Sequence, residues 1–281
     1  LVVERLPRGH HGAVTVDVAG DAAADLATNP SLAAEQASVV VDRVRPTPTL
    51  TTTANDPSNA STLSYSVNFN EDVTDFDVTD LDVTNGTVSN ISGSGSSYSF
   101  DVTPTTDGNV SVRVRDGGGS DGGGDIRDTA GNRNYGSNEI TLVSDRTAPT
   151  ISLLSKGSDP TNANSIHVYV SVSESVSGLT AEDFMVTNAT IENFSSDEGG
   201  YSFDLLPIAD GTFSATIGAE AFADSAGNYN VIGDSISRTS DRTSPTVSLS
   251  TTSDDPTNDE PIMVTITFSE SVTGFDSSDL M

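Results

Sequence analysis

The sequence predicts an all-β chain, a tandem array of seven-stranded antiparallel β-sandwiches, and three observations predict it. First, the chain repeats itself. Asp42-Arg43-Val44-Arg45-Pro46-Thr47 returns 103 residues later as Asp145-Arg146-Thr147-Ala148-Pro149-Thr150, and after a further 96 as Asp241-Arg242-Thr243-Ser244-Pro245-Thr246. Solenoid units run only roughly 20–50 residues, so a period near 100 marks whole domains. Second, apolar and polar residues alternate with period two, the pattern of strands with one face buried and one face wet. Third, Gly, Asn, Asp and Pro punctuate these runs, and no helical periodicity of consequence accompanies them.

The period divides the chain into two complete repeats, 46–145 and 146–241, flanked by the tail of one repeat (1–45) and the head of another (242–281). Within a repeat the first strand follows the linker proline and ends at Leu50, Leu153 or Leu249. The second is the clearest: Leu63, Tyr65, Val67 and Phe69 align with Ile166, Val168, Val170 and Val172, and with Ile262, Val264, Ile266 and Phe268. Then come Leu81/Val83 (Phe184/Val186), Val88/Ile91 (Ile191/Phe194), and Tyr98, Phe100, Val102 (Tyr201, Phe203, Leu205). The sixth strand carries Val110, Val112, Val114 against Phe213, Ala215, Ile217, with Val14, Val16, Val18 as its copy in the first partial repeat; the seventh runs through Ile140 and Ile236. The two intervals differ by seven residues, and the landmarks on either side place the extra length between Arg115 and Asp128, in a Gly/Asp-rich stretch from Asp116 to Asp125. A loop insertion is the expected reading, since surface loops tolerate added length cheaply.

Composition narrows the function. The 281 residues carry a formal charge of −29, from 41 Asp+Glu against 12 Lys+Arg, and Lys156 is the single lysine. Such acidity disfavours nucleic acid and anionic membranes as partners, keeps a chain soluble and attracts divalent cations. Hydrophobic residues make up 34%, which suits thin sandwiches with much exposed surface. The absence of cysteine excludes disulfide stapling but not secretion. No apolar run approaches the ~18–20 residues of a membrane span. The repeat phase at both ends reads as a fragment of a longer protein.

No catalytic constellation survives inspection, and the chain is expected not to be an enzyme. His10 and His11 fall in a turn, and His167 alternates with a buried face and should point to solvent. No Gly-x-Ser-x-Gly elbow or phosphate loop is present. Aromatic residues are 6%, with no tryptophan, and most fall on buried phases, which weakens a carbohydrate-binding reading.

What recurs is carboxylate. Each complete repeat has a linker Asp (Asp42, Asp145), a Glu after the second strand (Glu71, Glu174), an Asp opening the third strand (Asp80, Asp183), and an Asp-x-Ala-Gly-Asn turn before the last strand. That turn reads Asp128 to Asn132 and Asp224 to Asn228, with a degenerate copy from Asp25 to Asn29; the last partial repeat keeps Asp241 and Glu270. In a seven-stranded sandwich these loops meet at the pole where the chain enters. Two readings stay open. Each Asp or Asn can satisfy its own backbone in an Asx-turn, with Gly131 and Gly227 supplying positive φ. Alternatively Asp42, Glu71, Asp80 and Asp128, again Asp145, Glu174, Asp183 and Asp224 with Asn228 either supporting them from behind or as a direct oxygen ligand, and in the last partial repeat Asp241 and Glu270, hold calcium, which takes about six to eight oxygens.

The linker motif, Phe268-Ser269-Glu270-Ser271-Val272-Thr273-Gly274-Phe275, the stretch from Asp80 to Val88 and Asp-x-Ala-Gly-Asn together resemble the bacterial immunoglobulin-like repeats of large cell-surface and biofilm-associated adhesin-type proteins. The resemblance covers practically the whole chain and implies immunoglobulin-like sandwiches without the Cys pair and Trp of vertebrate domains. It implies an extracellular or cell-surface location and a structural, spacing role, with neighbouring repeats of the same chain as the immediate partners. Cell-surface or matrix ligands would then be bound through regions outside this segment. Some relatives rigidify their junctions with calcium. The alternative it leaves is a spacer beside the catalytic domain of a secreted polysaccharide-active enzyme. Val44-Arg45 departs from the usual Thr-Ala of the linker, and Thr28 stands where the turn has Gly.

Overall fold

Period-two alternation becomes burial directly. Along Leu63–Val73, every second side chain from Leu63 to Phe69 is buried and every intervening one is exposed, because successive side chains of a strand point to opposite faces. The structure is a computed structural model that describes residues 11–118, 124–197 and 200–281. His10 and the Gly119–Gly123 part of the insertion lie outside the described residues. The chain forms two units, one of residues up to 148 with 223–228, the other of 149–222 with 229–281.

The first unit opens with an antiparallel pair, β1 (Gly12–Val16) and β2 (Ala37–Val41). Its valines at 16, 39 and 40 remain exposed. There follow β3 (Pro48–Thr52), β4 (Leu63–Val73), β5 (Leu81–Thr84), β6 (Gly86–Pro104), β7 (Gly108–Val114) and β8 (Ile140–Ser144). They form two antiparallel sheets, β3–β4–β6 and β5–β7–β8. Leu50, Leu63, Val67, Phe100 and Val102 belong to the same buried cluster as Val110, Val112, Val114 and Leu142. Each such side chain contributes about 1.5–3 kcal/mol on burial. The ring of Tyr65 stacks on Phe100 at 5.5 Å.

Two strands expected between residues 88 and 102 are one continuous run, β6. It folds back on itself at Gly93 and Gly95, both at positive φ, so that Asn90 Nδ2 donates to Asp101 and Ser92 Oγ meets Ser99 Oγ at 3.0 Å. The bend is tight enough for strand pairing to continue through it.

The second unit contains β9 (Ile151–Ser155), β10 (Ile166–Val172), the two-residue β11 (Val176–Ser177), β12 (Phe184–Thr187), β13 (Ala189–Asp197), β14 (Gly200–Pro207) and β15 (Gly211–Ile217). Next along the chain comes β16 (Ala223–Asp224), which falls in the first unit. After it the second unit continues with β17 (Asp234–Ser240), β18 (Val247–Thr251) and β19 (Val264–Phe268). Its sheets are β13–β14–β10–β9 and β12–β15–β17, and β18 pairs with β19. Val168, Val170, Phe203 and Leu205 share a core with Phe213, Ala215, Ile217 and Ile236. The architecture is thus all-β, in antiparallel sheets. Among the described residues no helix is long and apolar enough to cross a membrane.

Candidate metal centre

The Asp-x-Ala-Gly-Asn turn is a closed hydrogen-bonded loop. Asp128 Oδ1 accepts the Asn132 amide at 2.8 Å, Asp128 Oδ2 accepts Asn132 Nδ2 at 2.7 Å, and the Asp128 amide donates to the Asn132 carbonyl at 3.2 Å. Gly131 takes φ of +89° and Gly227 +91°, a backbone that costs glycine little. The same bonds recur between Asp224 and Asn228, and between Asp25 and Asn29, where Thr28 adopts φ of +74° despite its side chain. Turn chemistry alone therefore explains why Asp and Asn stand four residues apart.

Asp128 does more than close its turn. It is 5% exposed, and its carboxylate lies with those of Asp42 and Glu71 so that one oxygen from each falls within 4.8 Å of the others. Asp42 arrives from the linker after β2, where its Oδ1 accepts the Val44 amide at 2.9 Å. Glu71 arrives from β4, beside Asn70 Nδ2 at 3.4 Å. Asn132 ties linker to turn, since its Nδ2 also donates to the Asp42 carbonyl at 3.3 Å. Burial raises the Glu71 carboxyl above its ordinary value, with Asp128 and then Asp42 adding like-charge repulsion.

Three carboxylates without histidine or cysteine make a hard-oxygen donor set, suited to calcium rather than zinc. At calcium–oxygen distances of about 2.3–2.6 Å, ligands on opposite sides of the ion sit roughly 5 Å apart, and the spread at Asp42, Glu71 and Asp128 fits inside that limit.

Asp80, expected as a fourth ligand, has another role. Its Oδ2 accepts the Asp77 amide at 2.7 Å while Asp77 Oδ1 accepts the Thr79 amide, a reciprocal cap on the 3₁₀ turn Val78–Asp80. Asp183 likewise accepts the Thr180 amide at 2.7 Å, and Asp279 the Asp276 amide at 2.9 Å. The Oδ2 atoms of Asp80 and Asp183, both expected as calcium ligands, thus cap the turn that leads into the third strand, and the carboxylate group at Asp42, Glu71 and Asp128 does not include Asp80. The signal was present in sequence, because Asp77-x-x-Asp80, Thr180-x-x-Asp183 and Asp276-x-x-Asp279 are capping-box spacings. Asp80 is also 1% exposed, and among the described residues its Oδ1 meets no hydrogen-bond partner of good geometry. Burial, then repulsion from Asp77 and Asp125, pushes it up to about 6.

The next copy keeps the linker geometry. Asn228 Nδ2 donates to the Asp145 carbonyl at 2.8 Å and to Asp224 Oδ2 at 2.8 Å, and Asp145 Oδ1 accepts the Thr147 amide at 3.2 Å. Asn228, expected either to support the ligands from behind or to offer an oxygen directly, straps the linker to the turn through its amide nitrogen. Glu174 follows β10 in the second unit and is half-buried. In the third copy Asp241 Oδ1 accepts the Thr243 amide at 3.4 Å, and Glu270 is exposed after β19.

Other linker contacts escaped sequence reasoning. Asp107 accepts the Arg146 amide at 3.0 Å and the Thr147 hydroxyl at 2.6 Å, and Asp210 does the same for Arg242 and Thr243 at 3.0 and 2.7 Å. Hydroxyl and amide donation holds both carboxyls below the ordinary range. In the first linker Arg45 replaces this device. Its guanidinium lies 3.9 Å over the Tyr135 ring, pairs with Asp116 at 2.6 Å and donates to the Arg133 and Asn134 carbonyls.

These repeats define the class. A sequence model described as bacterial Ig-like domain matches residues 42–142, 145–239 and 241–281, and the chain belongs to that family. No curated protein matches it. Among solved structures it is similar to invasin, titled a bacterial integrin-binding protein, at 14% identity over 85% of this chain and 47% of that one, with a TM-score of 0.44. It is also similar to the adhesin InvE of Yersinia pseudotuberculosis, at 11% identity over 70% and 58%, TM-score 0.24. A third is domains 4–9 of the surface layer protein SbsC, at 15% identity over 87% and 37%, TM-score 0.23. The chain thus spans less than two thirds of each of these structures.

Proposed function

We propose that this chain is a non-enzymatic spacer segment of a secreted or cell-surface adhesin-like protein, and that calcium at its acidic linkers stiffens the array. Family membership and tandem repetition support the spacer role. The observation that carries the calcium reading is the meeting of Asp42, Glu71 and Asp128, in which a linker carboxylate joins two carboxylates of the repeat that follows. A cation there would be held by Asp42, Glu71 and Asp128, and by period at Asp145, Glu174 and Asp224. It would relieve the like-charge repulsion that adds to burial in raising Glu71 and would anchor the linker to the repeat.

Affinity in the range of extracellular modules, roughly 10⁻⁴–10⁻³ M, is expected for such short, uncaged loops. A cation that binds only the folded state adds about 2.7 kcal/mol at a hundredfold excess over its dissociation constant. The test is thermal unfolding of the full chain in chelator and in millimolar calcium at constant ionic strength, with trypsin cleavage after Arg43 as a local readout of the linker. Calcium should raise the midpoint and slow that cleavage in the wild type, and Glu71→Gln should remove the protection at Arg43. Equal calcium responses in wild type and Glu71→Gln would reject the site and leave a passive acidic spacer.

A further inference from the structure

The outer face of β9, β10 and β14 carries a group of side chains that the other repeats lack. Leu154 and Tyr169 sit opposite each other across β9 and β10, and are 59% and 45% exposed. Beside them run Lys156, His167 and Asp204, with His167 opposite Asp204 across β10 and β14. The His167 ring packs edge-on against Tyr169 at 4.6 Å, and Lys156 Nζ stands 5.6 Å from the Tyr169 ring centre. Asp204 accepts from Asn193 Nδ2 at 2.8 Å and contacts His167 Nδ1 at 2.8 Å, so its orientation is fixed from both sides.

One period earlier the same positions read Thr51, Thr53, Ser64, Ser66, Asn90 and Asp101. There Ser64 and Asn90 hold Asp101 at 2.7 and 2.9 Å. The scaffold of Asn and Asp is common to both repeats, so sandwich stability does not require the Leu, Lys, His and Tyr of the second. One period later the four positions are Ser250, Thr252, Met263 and Thr265. The combination belongs to residues 146–241 alone.

We propose that this face is a binding platform for a neutral, unbranched glycan chain. The face has two strips. Leu154 and the exposed part of the Tyr169 ring, which the Lys156 ammonium overlies and the His167 ring meets at a steep angle, form an apolar strip against which sugar C–H groups can pack while the tyrosine hydroxyl stays wet. The polar strip beside it presents donors and acceptors together. The Lys156 ammonium forms no ion pair among the described residues, and Asp204 is an acceptor already oriented. Sugar hydroxyls, which both donate and accept, match such a strip.

Two other partners fit less well. A protein interface needs about 800 Å² from each side, far more than one tyrosine and one leucine offer. A polyanion would gain at Lys156 but meet Asp204 and Glu192 on neighbouring strands, within the field of a chain of net charge −29.

The experiment is titration of the full chain with cellohexaose, chitohexaose and mannohexaose, with hexagalacturonate as the acidic arm, followed by calorimetry and by amide shifts of Tyr169 and Asp204. At least one neutral hexasaccharide should bind at millimolar concentration or below. Tyr169→Ser should weaken it about tenfold and Lys156→Thr by less, whereas Tyr169→Phe should keep it, because ring contact rather than the hydroxyl supplies the platform. All these substitutions are on an exposed face, and an unchanged thermal midpoint for Tyr169→Phe verifies the fold. Failure of all neutral sugars to bind would overturn the proposal. So would preference for hexagalacturonate, or equal binding by wild type and Tyr169→Ser.

Discussion

Asn134 and Asn230 occupy equivalent buried positions in the two complete repeats, both at 0% exposure, yet they are not equally well served. Asn230 Oδ1 accepts the amides of Ala221 and Phe222 at 2.8 and 3.2 Å, and its Nδ2 donates to the Gly218 and Ile232 carbonyls at 2.8 and 3.3 Å. Asn134 keeps the donor half, to the Arg115 and Tyr135 carbonyls at 2.8 and 2.7 Å, but among the described residues its Oδ1 has no partner. The difference lies in the preceding loop. The compact segment from Gly218 to Phe222 turns two amides inward, whereas in the first repeat the longer, Gly-rich stretch from Asp116 replaces it. That stretch also lays Gly124 against Asp80 Oδ1, where a β-carbon would collide with the carboxylate. The strands of both repeats absorb the insertion without change of register, so its cost falls on two buried polar groups.

The largest effect expected from this contrast is at Asn230. Asn230→Ala strips partners from two amides and two carbonyls and should destabilise the second repeat by about 3–4 kcal/mol, taking roughly 1 kcal/mol for each buried bond lost. Asn134→Ala removes only two bonds and also deletes an unsatisfied oxygen, so about 1–2 kcal/mol is expected in the first repeat. Hydrogen exchange at Val112 and Ala215 under increasing urea reports each repeat separately. Equal losses would mean that the two loops serve their asparagines equally.

The second effect is electrostatic. Asp80 sits at about 6 against an ordinary 3.8, so the folded repeat binds its proton more tightly than the unfolded chain. Stability therefore rises as pH falls through 6 towards 4, and is lost as pH rises back through 6. A shift of about two units corresponds to roughly 3 kcal/mol. Asp80→Asn keeps an acceptor for the Asp77 amide, so it should make the first repeat more stable at pH 7 and flatten its pH dependence between 4 and 6. Asp183→Asn, on a cap that is only half-buried, should give no gain at pH 7. A melting profile unchanged by Asp80→Asn would show that the carboxyl is already neutral or already solvated.

These positions mark where the sequence stops being legible. Repeat length and the buried phases at Leu50, Leu63, Val67, Phe100, Val102, Val110 and Val112 follow from spacing and alternation, because burial on a sheet face is periodic and needs no knowledge of partners; in the last strand Leu142 is buried rather than the expected Ile140. The meeting of Asp42, Glu71 and Asp128 also follows, since the strand order brings their loops together. Asp80 is not in that group, and its capping-box spacing is visible in the sequence: its Oδ2 is taken by the backbone of the 3₁₀ turn. Nothing in the sequence tells that Arg45 stacks on Tyr135 or that Asn134 faces inward, because both depend on where an irregular loop runs.

The smallest effect concerns the two linkers. The first is held by Arg45, clamped between the Tyr135 ring and Asp116. The second has Ala148 in that place and relies on Asp107, which grips the Arg146 amide and the Thr147 hydroxyl. Both devices restrain a few residues of exposed backbone, so their loss should alter local opening and leave global stability nearly unchanged. Asp107→Ala should speed trypsin cleavage after Arg146 by a factor of about two to five while cleavage after Arg43 stays constant. Arg45→Ala should do the reverse, raising cleavage after Arg43 alone. The arginine clamp combines a ring contact with an ion pair and two carbonyl bonds, so its removal should give the larger of the two accelerations. If both variants left both sites unaltered, the prolines at 46 and 149, which already fix φ at the end of each linker, would be the dominant restraint, and the contrast between the linkers would be one of contacts without consequence.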